Sequence, residues 1–232
     1  MRTIGLIGGM SWESTAGYYR IINERINERL GGLHSAQIVL YSVDFAELEE
    51  LQQTGNWEQA TTVVAQAGQR VKAGGADFIV ICTNTMHRMA DEIQQQTALP
   101  VLHIADATAR AVTGAGIRTV GLLGTRYTME QAFYRGRLET LHGLQVVVPD
   151  ADDRTFVHEV IYDELCRGIT RDESRQRYLD IIKQLERRGA GAVILGCTEI
   201  GLLIGPDDTD TLLFDTTRIH AEAAADFALE GG

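Results

Sequence analysis

Residues 76–85 read ADFIVICTNT, and residues 190–199 read AGAVILGCTE. In each stretch an apolar run ends in a cluster of small polar residues. A short apolar run of this kind is typical of a strand that is buried on both faces of a parallel sheet. The polar cluster then marks the carboxyl end of the strand. We therefore predict two similar strands, one ending at Thr83 and the other at Cys197.

Further pairs of segments repeat along the chain at nearly the same spacing as Thr83 and Cys197. They are GLIG at 5–8 with GLLG at 121–124, YR at 19–20 with YR at 134–135, and, more loosely, IADAT at 104–108 with LFDTT at 213–217. An ordered series of repeats at near-constant spacing is the mark of an internal duplication. The chain is therefore predicted to form two pseudo-symmetric lobes.

The order of elements predicts the fold class. Apolar runs flanked by small residues alternate with segments of helical period, among them predicted helices at 85–96 and 153–167 and a short strand at 100–104. This alternation indicates βαβ units and mainly parallel sheets. We predict an α/β fold of two doubly wound lobes, with the active site in the cleft between them. Pro100 and Pro206 fall at predicted junctions, so the first lobe is expected to comprise 1–98 plus 211–232 and the second 99–210.

Composition excludes several classes of partner. The chain has 232 residues, of which 44% are hydrophobic and 23% charged, as in ordinary globular proteins. Its net charge of −11 repels nucleic acid and acidic lipid, so no nucleic-acid or membrane partner is expected. No apolar run reaches the roughly 20 residues of a membrane helix. Three cysteines without a Cys-x-x-Cys motif predict a cytoplasmic protein without a structural zinc site.

The two polar strand ends are the candidate functional site. In parallel sheets ligands bind beyond the carboxyl ends of strands, where helix N-termini offer free N–H groups and a partial positive charge. Such surroundings lower the pKa of a thiol, so Cys197 is predicted to be a thiolate near neutral pH. Asn84, Thr85 and Thr198 would supply donors for a carboxylate. Two proton-handling groups on opposite walls of a cleft suit removal and return of a proton at one carbon.

Three motifs together resemble the aspartate/glutamate racemase family. They are GGMSW at 8–12, CTNTMH at 82–87 and GCTE at 196–199, and the similarity to bacterial amino-acid racemases spans essentially the whole chain. The resemblance implies two pseudo-symmetric α/β lobes, no pyridoxal phosphate and no metal. It also implies a homodimer, with two cysteines acting as the base and the acid of racemisation.

One of the two family cysteines is replaced in this chain. The first family motif is Cys-Asn-Thr, so its cysteine falls on Thr83, and Cys82 stands one position early. Neighbouring side chains of a strand point to opposite faces, so Cys82 is expected to face the core. The resemblance assigns the proton of the L-isomer to Cys197. Because a hydroxyl is a far weaker acid than a thiol, we expect Thr83 to be a weak donor or a water-positioning group, and L-substrates to react better than D-substrates.

The resemblance also implies residues that contact the substrate. The backbone around Met10 and Ser11 would line the site, although Met10 is equally consistent with a core residue. Arg167 falls where aspartate-specific members carry a basic residue, and Gln52 falls where the family often has arginine. Arg126 is a further candidate for binding the distal carboxylate of an acidic amino acid.

Two residues beside the motifs have two interpretations each. His87 would either satisfy a backbone group near the start of its helix or support the reacting groups. Glu199 would either cap the following helix or orient Cys197.

We therefore predict cofactor-independent racemisation of an amino acid within amino-acid metabolism. Aspartate or glutamate is the expected substrate, and a wider range of amino acids stays open. Two alternatives stay open: a single-cysteine decarboxylase or isomerase of the same superfamily, and a non-enzymatic amino-acid binding protein. The GLIGG segment at 5–9 lacks the Gly-x-Gly-x-x-Gly spacing, which argues against a dinucleotide site.

Overall fold

The structure is a computed structural model that describes residues 1–230. It divides into two compact units: the first holds Met1–His103 together with the chain from His220 onward, and the second holds Ile104–Ile219. The sequence instead predicted that the chain passes from one lobe to the other between residues 98 and 99 and between residues 210 and 211. Residues 231 and 232, which the prediction placed in the first lobe, lie outside the described residues.

The first unit contains a three-stranded parallel sheet. Its strands are β1 (Ile4–Gly8), β2 (Ile38–Ser42) and β3 (Phe78–Ile81), in the order β2-β1-β3. In the register of the sheet, Ile7 of β1 lies beside Ile81 of β3. The carboxyl ends of β1 and β3 therefore meet at one edge, which brings the segments after Gly8 and after Ile81 together.

The helices of the first unit are α1 (Trp12–Leu30), α2 (Phe45–Gln53), α3 (Trp57–Ala73) and α4 (Ala90–Thr97), with a 3₁₀ turn at Thr85–Met89. Polar side chains start three of them: Ser11 caps α1, Asp44 caps α2 and Asn56 caps α3. Helix α2 was not predicted from the sequence. Its nine residues bury Leu48 and Gln52, so it belongs to the packed part of the unit.

Both faces of this sheet are covered. Ile4 and Leu6 of β1 pack in a core with α1 and with alanines of the C-terminal helix α10 (Thr216–Leu229). Ile7 points to the other face and packs in a second core with Val64 of α3. Because successive strand residues face opposite sides, a strand between two helical layers is apolar throughout. This explains the continuous apolar run of β1.

The second unit contains a four-stranded parallel sheet. Its strands are β4 (Thr119–Gly124), β5 (Gln145–Val147), β6 (Val193–Gly196) and β7 (Leu213–Asp215), in the order β5-β4-β6-β7. The helices of the second unit are α5 (Ile104–Gly114), α6 (Arg126–Glu130), α7 (Arg135–His142), α8 (Ala151–Asp163) and α9 (Asp172–Arg187). It also has 3₁₀ turns at Leu165–Arg167 and Ile200–Leu202. Because β7 pairs with β6, the second unit extends beyond the predicted boundary at 210.

The two sheets share a topology, which agrees with the repeats in the sequence. In each unit the strand that carries the GLIG or GLLG repeat lies inside the sheet, between the next two strands of that unit. β3 and β6 therefore hold equivalent positions. The predicted α/β fold of two lobes with parallel sheets is confirmed.

Three predicted elements differ from the structure. The expected strand at 100–104 is only an isolated bridge between Ile79 and Val101, because α5 already begins at Ile104. The predicted helix 85–96 is a 3₁₀ turn followed by α4, and the predicted helix 153–167 stops at Asp163.

Within residues 1–230, no helix has both the length and the apolar character needed to cross a bilayer.

Gly9, directly after β1, has no room for a side chain. Its φ is +94°, and a Cβ there would lie 2.2 Å from the Val43 carbonyl oxygen. We expect Gly9→Ala to lower the free energy of unfolding by about 3 kcal/mol, because both the backbone strain and the backbone clash oppose it. Urea unfolding followed by circular dichroism measures this.

The matched control is Gly17→Ala in α1, where a Cβ meets nothing within 4 Å. Alanine favours a helix over glycine by about 1 kcal/mol, so this variant should be as stable as the wild type or more stable. Equal stability of the two alanine variants would contradict the close approach at Gly9.

Candidate active site

The first set of candidate residues follows β3. Thr83 is half-buried, and the next two residues, Asn84 and Thr85, are buried. Cys82 is fully buried in the core that contains α1, and burial raises the pKa of its thiol. The expectation that Cys82 faces the core is therefore confirmed. Thr83, and not Cys82, is the residue of this pair that stands at the polar strand end.

His87 holds the backbone of Thr83. Its Nδ1 donates to the Thr83 carbonyl oxygen at 2.8 Å. Of the two interpretations, binding of a backbone group is observed, and the bound group belongs to the candidate residue itself. His87 thus fixes the strand end from which the Thr83 side chain projects.

A buried aromatic cluster surrounds His87. The rings of His103 and His220 lie 4.7 Å and 5.4 Å from its ring, centroid to centroid. His220 Nε2 donates to the Leu102 carbonyl oxygen at 2.8 Å, so its Nδ1 accepts from the Tyr18 hydroxyl at 2.9 Å when the ring is neutral. This support was not predicted, because His87, His103 and His220 come together only in the folded chain.

The segment after β1 forms the start of α1. Ser11 is buried, and its Oγ accepts the Ser14 N–H at 3.3 Å as the helix cap. The Met10 side chain packs in the core with Ile7. Of the two interpretations of Met10, a core side chain is observed, and only its backbone lies at the edge of the sheet.

Two polar atoms in the first turn of α1 were not predicted as site atoms. Glu13 Oε2 and Ser14 Oγ are inaccessible to solvent and have no hydrogen-bond partner within the part of the chain that the structure describes. A buried polar atom without a partner costs free energy, so such atoms often mark a ligand site. Because Ser11 already caps the helix, the cap does not need the Ser14 hydroxyl. Gln52, on the last turn of α2, is also buried.

The second set of residues follows β6. Cys197 is half-buried, and its thiol donates to Glu199 Oε2 over an Sγ–Oε2 distance of 2.9 Å. The Thr198 hydroxyl donates to the same oxygen at 2.8 Å. Glu199 makes no side-chain cap of the following turn. Of its two interpretations, the structure shows the contact with Cys197.

The predicted low pKa of Cys197 is wrong. Burial raises the pKa of this thiol well above its ordinary value, and the negative charge of Glu199 raises it further. No α-helix begins at this strand end; a three-residue 3₁₀ turn, Ile200–Leu202, follows instead. The partial positive charge of a helix N-terminus, which would lower the pKa of the thiol, is therefore missing at Cys197. The negatively charged carboxylate of Glu199 lies beside the thiol instead. Cys197 rests as a neutral thiol bonded to a proton acceptor.

The turn after Cys197 is held from two sides. The Ile200 N–H donates to the Cys197 carbonyl oxygen at 3.1 Å. The Thr217 hydroxyl donates to the Thr198 carbonyl oxygen at 3.4 Å. The strand before this turn is also closely packed, because a Cβ on Gly196 would lie 2.8 Å from the Leu123 carbonyl oxygen. The glycine before Cys197 is thus required where β6 meets β4.

Arg126 lies near this strand end. Gly124 is the register partner of Gly196, so the chain beyond β4 runs alongside Cys197. The Arg126 guanidinium lies over the Tyr127 ring at 5.2 Å and donates to its hydroxyl at 3.4 Å. His158 Nδ1 accepts the Arg126 N–H at 3.5 Å, and burial together with the Arg126 charge lowers the pKa of His158. Tyr127 and His158 were not predicted.

Arg167 ends the 3₁₀ turn Leu165–Arg167, and Gly168 follows it with φ +70°. Its side chain is exposed, and its guanidinium is 3.8 Å from the Asp163 carboxylate. Arg167 therefore ends a separate 3₁₀ turn beyond α8, and its guanidinium forms an ion pair on the surface. Among residues 1–230, no group of three or more His, Cys, Asp or Glu side chains is arranged to hold a metal ion.

Comparison with known families gives one match over most of the chain. The model described as Asp/Glu/hydantoin racemase matches residues 7–224.

Solved structures agree with this match. A candidate Asp/Glu racemase from Yersinia pestis has 55% sequence identity and a TM-score of 0.92, over 99% of this chain and 100% of that one. An aspartate racemase homologue from Pyrococcus horikoshii has 33% identity and a TM-score of 0.84, with the same coverage of both chains.

Curated relatives are more distant. The broad specificity amino-acid racemase RacX of Bacillus subtilis is 24% identical over 226 residues, which cover 95% of each protein. A glutamate racemase from Exiguobacterium sibiricum is 29% identical over 188 residues, and the match spans 77% of this chain and 64% of that enzyme.

Proposed function

Since this chain belongs to the Asp/Glu/hydantoin racemase family, we propose that it racemises an amino acid, with aspartate or glutamate as substrate, and that it uses neither pyridoxal phosphate nor a metal. The observation that carries this is the Cys197–Glu199 pair at the end of β6. Thr83 stands at the end of β3, the equivalent strand of the other unit. A thiol that removes a proton and a hydroxyl that returns one suit inversion at a single carbon.

We propose the following proton transfers. The Cys197 thiol passes its proton to Glu199 Oε2, which leaves a thiolate and a neutral carboxylic acid. The thiolate takes the α-proton of the L-amino acid, and the electron pair of the C–H bond stays on the substrate as a carbanion. The opposite face then receives a proton from the Thr83 hydroxyl or from a water that Thr83 positions. Solvent takes the Glu199 proton and restores Thr83, so the cycle ends with its starting groups.

The other candidate residues are proposed to bind substrate. Asn84, Thr85 and Thr198 would hold the α-carboxylate, with the backbone of Met10 and Ser11 and the Gln52 amide beside it. The distal carboxylate of an acidic substrate would be held by Arg126 or Arg167. The place of Arg126, beside the strand end of Cys197, supports it more than the surface ion pair of Arg167 does. We also propose that the protein works as a homodimer in the cytoplasm.

Proton exchange in D2O tests the proposed function directly. Incubation with L-aspartate or L-glutamate should place deuterium at Cα and yield the D-isomer, detected by chiral chromatography and mass spectrometry. Release of carbon dioxide without a D-product would mean a decarboxylase. Binding of L-aspartate without any exchange would mean a binding protein, and either result would overturn the racemase.

The role of Glu199 has its own test. The Glu199 charge raises the pKa of Cys197, so Glu199→Gln should lower that pKa. The rate of Cys197 alkylation by iodoacetamide, followed by mass spectrometry, should therefore rise at lower pH in this variant than in the wild type. Racemisation should still fall, by about tenfold or more, because the acceptor for the thiol proton is gone.

The control is Glu173→Gln, which removes an exposed carboxylate in the first turn of α9. It should leave both the alkylation profile and the racemisation rate unchanged. An unchanged alkylation profile in Glu199→Gln would show that this carboxylate does not act on the thiol.

A further inference from the structure

The second unit holds a cavity that is not lined by any residue proposed for racemisation. Its volume is about 520 Å³, within the range of about 300–1,000 Å³ that is usual for small-molecule sites. It lies against the edge strand β7, and α5, the start of α10, the Ile200–Leu202 turn and the loop after that turn contribute further lining residues.

The floor of the cavity is apolar. Leu195, Ile204 and Phe214 line it and are buried, and Leu213 and Ile219 are half-buried beside them. An apolar group that packs against such a surface is stabilised, because its area is removed from water. The floor therefore selects a ligand with an apolar body.

Two opposite charges belong to the wall of the same cavity. The Asp215 carboxylate is fixed in place, since its Oδ1 accepts the N–H groups of Thr217 at 2.8 Å and Arg218 at 3.3 Å. The Arg218 side chain is exposed and lines the cavity three residues further on. A carboxylate offers about four acceptor sites and a guanidinium five N–H donors, so each has capacity for a ligand beyond its contacts within the chain.

We propose that this cavity is a second amino-acid site, which takes a free amino acid with a large apolar side chain. The ammonium group binds Asp215, the carboxylate binds Arg218, and the side chain fills the apolar floor. A zwitterion matches the two charges, and neither a simple fatty acid nor a simple amine does. This site is separate from the proposed racemase site, because Cys197, Thr198 and Glu199 are absent from its lining.

Isothermal titration calorimetry with L-phenylalanine tests the site. The full-length Cys197→Ala variant is used as the background, so that amino acids are not turned over. We expect binding to persist when L-aspartate is present at saturation. Phenethylamine, which lacks the carboxylate, and 3-phenylpropionate, which lacks the ammonium, should each bind about tenfold more weakly or worse.

Variants of the wall and of the floor locate the site. Arg218→Gln should weaken L-phenylalanine binding about tenfold. Ala111→Phe, which places a phenyl ring in the cavity from α5, should weaken L-phenylalanine binding about tenfold or more. The control Arg110→Gln removes the neighbouring exposed arginine of α5, which does not line the cavity, and should bind as the background does.

Three results would overturn the proposal: no binding of L-phenylalanine, its displacement by L-aspartate, or equal binding in Arg218→Gln and the background. Because Arg218 is exposed, Arg218→Gln should fold normally. Its binding of L-phenylalanine therefore tests the proposed site even if Ala111→Phe fails to fold. If L-aspartate itself does not bind, the racemase proposal is weakened, while the Arg218 dependence of L-phenylalanine binding still tests the second site.

Discussion

Replacement of Cys197 by alanine should abolish racemisation. We expect the exchange of the α-proton of L-aspartate in D2O to fall by about a thousandfold, because a general base of this kind contributes about 10² to 10⁴ to the rate. Alanine leaves Glu199 in place but removes the sulfur that receives the α-proton. Deuterium incorporation at Cα, measured by mass spectrometry, gives the exchange rate directly.

Two further cysteine variants make this result specific. Cys197→Ser keeps a donor to Glu199 but is a far weaker acid, so its loss should nearly match that of alanine. Cys166→Ala removes the other half-buried cysteine of the same unit and should keep most of the wild-type rate. Exchange in Cys197→Ala at more than a tenth of the wild-type rate would remove Cys197 from the proposed mechanism.

Replacement of Thr83 by cysteine should change the direction preferred by the enzyme. A thiol has an ordinary pKa of about 8.5, and a hydroxyl ionises far less readily, so the variant gains a competent base on the second face. We expect exchange from D-aspartate to rise by about tenfold or more, with exchange from L-aspartate little changed. The ratio of the two initial rates is the measured quantity.

Thr83→Ser is the matched control, because it keeps a hydroxyl at the same strand end. It should leave the ratio of D- to L-exchange as in the wild type. His87 binds only the backbone carbonyl of Thr83, so both substitutions leave that bond available. If Thr83→Cys left the ratio unchanged, or if serine raised it as cysteine does, Thr83 would have no part in proton transfer.

The pKa of Cys197 is opposite in direction to the prediction from sequence, because it depends on the folded surroundings of the thiol. The prediction placed this thiol at the end of a strand and expected an α-helix to begin there. The structure instead has a short 3₁₀ turn and the Glu199 carboxylate within hydrogen-bond distance of the thiol. The pKa of a thiol depends on burial and on all nearby charges, and residue order does not give these quantities.

The support around Thr83 shows the same limit. His87 could be predicted to lie near Thr83, because the two residues are four positions apart. Its packing against His103 and His220 depends on how α10 lies on the first sheet. The cavity beside β7 is of the same kind, since its lining comes from four separate segments of the chain.

The sequence alone determined the strands, the repeat and the residues at the strand ends. These features are local: apolar runs set β3 and β6, and the residues that follow each strand must stand at its carboxyl end. The tertiary structure decided the protonation of Cys197, the partner of Glu199 and the charged cavity of the second unit. The cavity joins segments that are distant in the chain, and even the contact of Cys197 with Glu199, two residues away, depends on how the turn between them folds. Burial and distance are fixed only after folding.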